Sequence, residues 1–248
     1  MARQSRLPSF LLTRPAAQGD RFAAALRRRF GSAITIINTP LMAAQFLTPT
    51  LPDIRFQALI FTSETGVLAF QQVSAEIGLA AGAQAWCVGD RTASAARAAG
   101  LTPLSAKGDA EALLRAIVAA RPSGALLHLH GKEVRGNLAD RLVSAGIETY
   151  SSVIYAQQPQ PLTPQACAAL QARDAILLPL FSPRTAALFC AEAQKIQLHA
   201  PLWAAALSPA VAAAIKDLPV AGLIIAAHPD AEAMLGALAD LIAAANHA

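Results

Sequence analysis

Most of what makes a chain easy to place is missing from this one. Its 248 residues include only three cysteines, Cys87, Cys167 and Cys190, widely spaced and with no CxxC pair. An odd, scattered set supports neither a disulfide framework nor a thiolate metal cluster. It fits a reducing compartment, where each thiol acts as a small apolar side chain. Aromatic residues make up 5%, too few for the stacking platforms of single-stranded nucleic-acid binders. Charged residues make up 15%, and the formal net charge is +4. The basic ones are scattered, apart from Arg27, Arg28 and Arg29 at the end of an expected helix, where they complement its dipole. Such a balance suits a small anionic ligand better than a polynucleotide. Hydrophobic residues reach 54%, much of it alanine, yet no apolar run approaches the roughly 18–20 residues of a membrane span. The start, MARQSRLPSFLLTRP, is basic, but its apolar stretch Phe10–Leu12 is too short for a secretion signal. A cytoplasmic protein without nucleic-acid or membrane partners is expected.

The common catalytic signatures are absent as well. GALLHLHGK lacks the spacing of a phosphate loop, and no GxGxxG follows a strand, which argues against ATP and NAD. No GxSxG elbow supports a serine hydrolase. His128 and His130 alternate on one face of a strand, as metal ligands do, but no third ligand lies nearby in sequence. They are read as ordinary polar residues at a strand end, with no metal. His199, His228 and His247 are isolated and expected at the surface.

What is present is regular β–α alternation. SFLLTRP, AITIINTP, FQALIFTS, AQAWCVG, GALLHLHG, IETYSSVIYAQQ, AILLPLFS, PLWAAALS and VAGLIIAA read as strands. Between them lie small-residue helices: GDRFAAALRRRFG, TGVLAFQQVSAEIG, RTASAARAAG, DAEALLRAIVAARP, VRGNLADRLVSAG, PQACAALQAR, RTAALFCAEAQK, AVAAAIKDL and DAEAMLGALADLIAAA. The fold class is α/β, with doubly wound parallel sheets.

Two corners recur. LIFTSETGVLAF resembles LPLFSPRTAALF, and CVGDRTASAARAAG resembles ALSPAVAAAIKDLP. One offset of 119 residues separates Ser63 from Ser182 and Gly89 from Ser208. A shared offset suggests a duplicated α/β unit. The second copy has too few strands unless it borrows the N-terminal strand–helix–strand. Residues 1–37 plus 159–248 are therefore expected to form one domain. Residues 40–153 form another inserted into it, with hinge strands near 36–40 and 151–159.

Ligands of open parallel sheets bind beyond the carboxyl ends of the strands, where helix N-termini point their N–H groups. Thr62, Ser63 and Ser182 are expected there, facing one cleft as hydroxyl and N–H donors or as helix caps alone. In HGKEVRGNLADRLVSAG, Gly131 ends a strand and Lys132 and Arg135 open a helix that Gly146 ends. Cations at a helix N-terminus oppose its dipole, a small cost that is offset if an anion sits there. Tyr155, one of two tyrosines, lies in the hinge strand, with packing favoured on residue type and proton donation open.

The ensemble resembles the uroporphyrinogen-III synthase (HemD) family. The likeness runs across nearly the whole chain: LLTRP, IFTSETGV, CVGDRTA, HGKEVRGNLADRL, VIY, LFSPRTA, LSPAVAAA and AHPDAEAMLGAL, in order. It implies two α/β domains joined by a two-stranded connector, a monomer, and no cofactor. It implies hydroxymethylbilane, a linear tetrapyrrole with carboxylate side chains, as substrate. By motif, Tyr155 matches the tyrosine that helps the substrate hydroxyl leave, and Thr92 the threonine of a glycine–threonine corner. Thr62, Ser63, Gly89, Gly131, Ser182 and Ser208 would line the cleft, and Lys132 and Arg135 would meet carboxylates. A transient handoff from the bilane-forming enzyme would fit an unstable substrate. One departure stands out. Where many members have a second glycine–threonine corner, this chain reads LSPAVA, with Ser208, Ala210 and Val211. Two alternatives stay open on residues alone: a two-lobed binder or sensor of an anionic ligand, and an inactive synthase-like protein.

Overall fold

The structure, a computed structural model, describes residues 8–77, 79, 82–133 and 136–245. In chain order its elements begin β1 (Ser9–Leu12), α1 (Ala16–Phe30), β2 (Ile36–Asn38), β3 (Met42–Phe46), β4 (Phe56–Phe61), α2 (Glu64–Ile77), β5 (Gln84–Cys87), α3 (Asp90–Ala98), β6 (Thr102–Ser105) and α4 (Ala110–Ala120). They continue with β7 (Ala125–Gly131), α5 (Leu138–Ser144), β8 (Thr149–Pro159), α6 (Pro164–Gln171), β9 (Ile176–Leu180), α7 (Pro183–Ala193), β10 (Leu202–Ala206), α8 (Pro209–Ala213), β11 (Gly222–Ile225) and α9 (Ala231–Ala245). Among the described residues no helix is long and apolar enough to cross a membrane.

The chain divides into two units, Met1–Ala43 with Pro159–Ala248, and Ala44–Gln158. The first holds a five-stranded sheet in the order β11-β10-β9-β1-β2. All its pairings are parallel. Strands buried on both faces read as continuous apolar runs, as FLL of β1 and ILLPL of β9 do. One face packs Leu178, Phe189 and Val211 into a core. The other packs Phe10, Phe22 and Leu238.

The second unit holds a six-stranded sheet in the order β3-β8-β7-β4-β5-β6. Its β4, β5, β6, β7 and β8 run parallel. Leu59, Phe61, Phe70 and Leu127 form the core on one face. Ile60, Trp86, Leu113 and Ile117 form it on the other. Helix ends follow from local chemistry. Gly31, at φ 93°, closes α1 beside Arg27–Arg29. The Asp109 side chain accepts the Ala112 N–H and opens α4.

Five elements differ from the sequence reading. β3 and β6 are short pairing strands without a strong apolar pattern, and α1 begins three residues before Gly19, directly after Pro15. The helix after Gly131 begins at Leu138, so Lys132 lies in a bend before it and does not open it. Gly136, at φ 85°, and Asn137 at the N-cap set that later start. α8 is only five residues long. Beyond it Ala214 and Ile215 bond three residues back, to Val211 and Ala212, in tighter turns.

Candidate functional site

In the second unit the chain winds outward from β4 to β5 and β6, then returns to the other side of β4 as β7 and β8. The winding reverses between β4 and β7, and the carboxyl ends of those two strands bound the crevice where open α/β sheets bind ligands. β4 runs into Ser63, and β7 ends at Gly131.

Tyr155 is brought to this point by an irregularity. In β8, Val153 pairs with His130, but the next pair is Tyr155 with Gly131, leaving Ile154 as an extra residue. Strict alternation would send Tyr155 to the face opposite Ile154. The bulge turns it, so that Ile154 and Tyr155 pack against the same core. The Tyr155 ring then lies on Gly131. A Cβ on Gly131 would stand 2.6 Å from Cζ of the ring, 2.7 Å from Cε2 and 2.9 Å from the phenol oxygen. The Lys132 N–H donates to the Tyr155 carbonyl at 2.8 Å and pins the backbone. The phenol oxygen is 3.0 Å from Ser63 Oγ, and Ser63 Oγ accepts the Gly66 N–H at 3.0 Å. The structure thus brings together Tyr155, Ser63 and Gly131. It adds Gly66, which the sequence reading had not singled out.

The remaining expected residues are spread along the same edge. Thr62 precedes Ser63 and is partly buried. Thr92 lies in the first turn of α3, one strand over, and is 4% exposed. Gly89 caps α3 with an extended backbone at φ −159°. A Cβ there would meet nothing closer than 3.8 Å, so any contribution of Gly89 is through its backbone and not its smallness. Lys132 is exposed. Arg135 lies outside the described residues.

In the first unit the winding reverses between β1 and β9. Ser182 follows β9 and caps α7: its Oγ accepts the Thr185 N–H at 3.1 Å and donates to Thr185 Oγ1 at 2.9 Å. Ser208 caps α8 without a side-chain capping bond. Two further residues, Thr13 and Arg14, follow β1 at this reversal and are not among the site candidates the sequence suggests. Thr13 is 1% exposed. The Arg14 guanidinium stacks 3.9 Å from the Phe181 ring centre and donates to Gln18 at 3.1 Å. Their signal was position alone, directly after the first strand.

Burial governs the titratable groups nearby. His128 is 2% exposed, not at a strand end in solvent. Burial, with the His130 ring 4.8 Å away, holds its pKa down to about 3. The imidazole is therefore neutral. His130 shares a 2.8 Å hydrogen bond with the Gly131 carbonyl through Nδ1. Among the described residues no three His, Cys, Asp or Glu side chains group to hold a metal ion. Burial pushes the Cys87 thiol up to about 11, against the pull of Arg97. Burial and Asp217 also raise the half-buried Cys190. Neither is an activated thiolate.

Two doubly wound, mostly parallel sheets, with hydroxyl groups and backbone donors gathered in corners at their winding reversals, define the class as α/β. The family follows from the sequence. Residues 20–236 match the family model described as uroporphyrinogen-III synthase HemD, and the chain belongs to that family of tetrapyrrole biosynthesis. The solved structure of uroporphyrinogen-III synthetase from Helicobacter pylori 26695 superposes with TM-score 0.62 at 18% identity, covering 94% of this chain and 99% of that one. The likeness is one of fold. Uroporphyrinogen III synthase from the extremely thermophilic bacterium Thermus thermophilus aligns over 96% of this chain and 98% of its own, at 17% identity and TM-score 0.39, too loose to bear on the fold. No curated protein matches.

Proposed function

We propose that the protein converts hydroxymethylbilane into uroporphyrinogen III, expelling the terminal hydroxyl as water, inverting the last pyrrole ring and closing the macrocycle. Family membership supports the reading. The observation that carries it is the Tyr155 phenol, laid on Gly131 and paired with Ser63 at the winding reversal of its sheet.

The Tyr155 phenol acts as the general acid. As the substrate C–O bond breaks, its electron pair stays with oxygen. That oxygen takes the phenol proton and departs as water. The pyrrole nitrogen lone pair fills the methylene carbon, giving an azafulvenium cation. Closure passes through a spiro-pyrrolenine. The proton released when the final ring regains aromaticity returns to the phenolate, so the enzyme is restored and the atoms balance.

Without a catalyst, the bilane closes with no inversion, to the type I isomer. The protein's task is to hold a flexible polyanion so that inverted closure wins, which is positioning and preorganised electrostatics. The first turns of α2, α3 and α7 offer N–H donors suited to carboxylates. Thr62, Gly89 and Ser182 belong to those corners, Ser208 sits at the start of the short α8, Thr92 adds a hydroxyl in the first turn of α3, and Lys132 and Arg135 supply cations.

The test is a coupled assay. Hydroxymethylbilane is generated in place, the products are oxidised, and the type I and type III isomers are separated. Type III in proportion to added protein is expected. Type I alone, from folded protein, overturns the reading in favour of a binder or an inactive relative. Tyr155→Phe should lower turnover by about 100-fold or more, as for loss of a general acid.

A further inference from the structure

The Ser63 hydroxyl has one hydrogen and two lone pairs. One lone pair is taken by the Gly66 N–H. The 3.0 Å contact with the Tyr155 oxygen admits either group as donor. The chemistry proposed for Tyr155 decides which. If the phenol proton is aimed at the leaving hydroxyl, the hydrogen between the two oxygens must be Ser63's.

The bonds then run one way: Gly66 N–H to Ser63 Oγ, Ser63 O–H to the phenol oxygen, phenol O–H to the substrate. Each link polarises the next, and the first lies in the opening turn of α2, the positive end of its dipole. When the phenol gives up its proton, the Ser63 bond falls on a phenolate and roughly doubles in strength. Stabilisation that appears only as the charge develops speeds the step without tightening ground-state binding.

Two glycines make this possible. In the corresponding corner the Ser182 hydroxyl is spent on Thr185. Gly66 stands three residues after Ser63 as Thr185 does after Ser182, but it offers no side chain to compete. Gly131 leaves the space in which the ring lies, since any Cβ would overlap it.

We propose that Ser63 is a positioning residue that orients and polarises the Tyr155 phenol, not a substrate contact, and that Gly66 and Gly131 reserve it for that task. The inference rests on the synthase reading for its catalytic consequence, but its geometry can be tested alone.

The chain has two tyrosines, so a Tyr150→Phe background leaves Tyr155 as the sole one. Carbon-13 at its phenolic carbon reports the hydrogen bonding of the oxygen by NMR. Ser63→Ala should shift that resonance, Ser63→Thr should restore it, and Ser74→Ala on the exposed side of α2 should leave it in place. In the isomer assay Ser63→Ala should lower kcat about 10- to 100-fold with KM within about twofold, and Ser63→Thr should recover most of it. Should Ser63→Ala lose the fold, Ser63→Gly serves, because glycine at an N-cap costs only a few tenths of a kcal/mol. An unmoved resonance in a folded variant overturns the proposal. So does a raised KM with kcat unchanged, which would make Ser63 a substrate contact. If the parent protein forms only the type I isomer, the synthase reading fails while the resonance still decides the Ser63–Tyr155 pairing.

Discussion

Ser63 and Ser182 occupy equivalent corners of two different sheets and behave differently. Both follow a central strand, and both accept the N–H of the residue three positions on, at 3.0 and 3.1 Å. At Ser182 that residue is Thr185, whose Oγ1 accepts a hydrogen bond from the serine hydroxyl and closes the corner on itself. At Ser63 it is Gly66, and the hydroxyl is left for a phenol 92 residues away. One missing side chain separates a self-contained helix cap from a serine hydroxyl that meets a distant phenol. A sequence echo shows where a corner recurs but not which copy is open.

The largest effect should come from closing the open corner sterically. Gly131→Ala puts a methyl group where the Tyr155 ring lies, and the ring must leave. Type III formation should fall on the order of a thousandfold, about 4 kcal/mol of transition-state stabilisation. Chromatographic isomer analysis checks it, with far-UV circular dichroism showing that the fold persists. Retained activity would mean that the phenol's seat is unimportant.

Acid should separate the two units next. His128, in the unit of the open corner, is held neutral down to about pH 3 against an ordinary value of 6.5. Its folded pKa is depressed, so the unfolded chain takes up a proton that the folded chain refuses. Stability from this group is complete above pH 6.5 and is lost as pH falls toward 3, at up to about 1.4 kcal/mol per pH unit. Denaturant melts between about pH 6.5 and pH 4.5, inside that window, should show the unit of residues 44–158 weakening first. His128→Gln should flatten that slope.

Smaller effects should follow from the closed corner. Ser182→Ala removes the cap of α7 and should cost about 1 kcal/mol, within the usual range for N-cap loss. Thr185→Val keeps the shape and removes only the Oγ1 acceptor. It should cost about 0.5–1 kcal/mol, the net worth of one hydrogen bond. Urea denaturation resolves both. A larger loss from Thr185→Val than from Ser182→Ala would show that the threonine, not the serine, organises this corner.

Much of the architecture was legible because its signals are local. Runs such as AILLPL and small-residue helices such as RTAALFCAEA declare themselves within a few residues, and the β–α alternation gives the parallel class. β3 and β6 escaped because MAAQF and TPLS carry little apolar pattern and are strands only by virtue of the neighbours they pair with. The helix after Gly131 starts later than Lys132 and Arg135 suggest, because Gly136 and Asn137 set its start. Ser63, Gly131 and Tyr155 were each named as site residues, yet nothing local said that they meet. Gly66 carries no signal in the sequence because a glycine's contribution here is what it leaves free.

The sequence by itself determined the succession of strands and helices apart from β3 and β6, the two echoing corners, and the basic last turn of α1, since each depends on periodicity and capping within a single element. Only the tertiary structure decided that Ile154 bulges out of register and that Tyr155 therefore turns to the inner face. It also decided that the phenol lands on Gly131 within reach of Ser63, and that His128 is sealed in the core. Those outcomes depend on strands far apart in sequence being laid side by side, where one extra residue or one absent side chain sets which groups can touch.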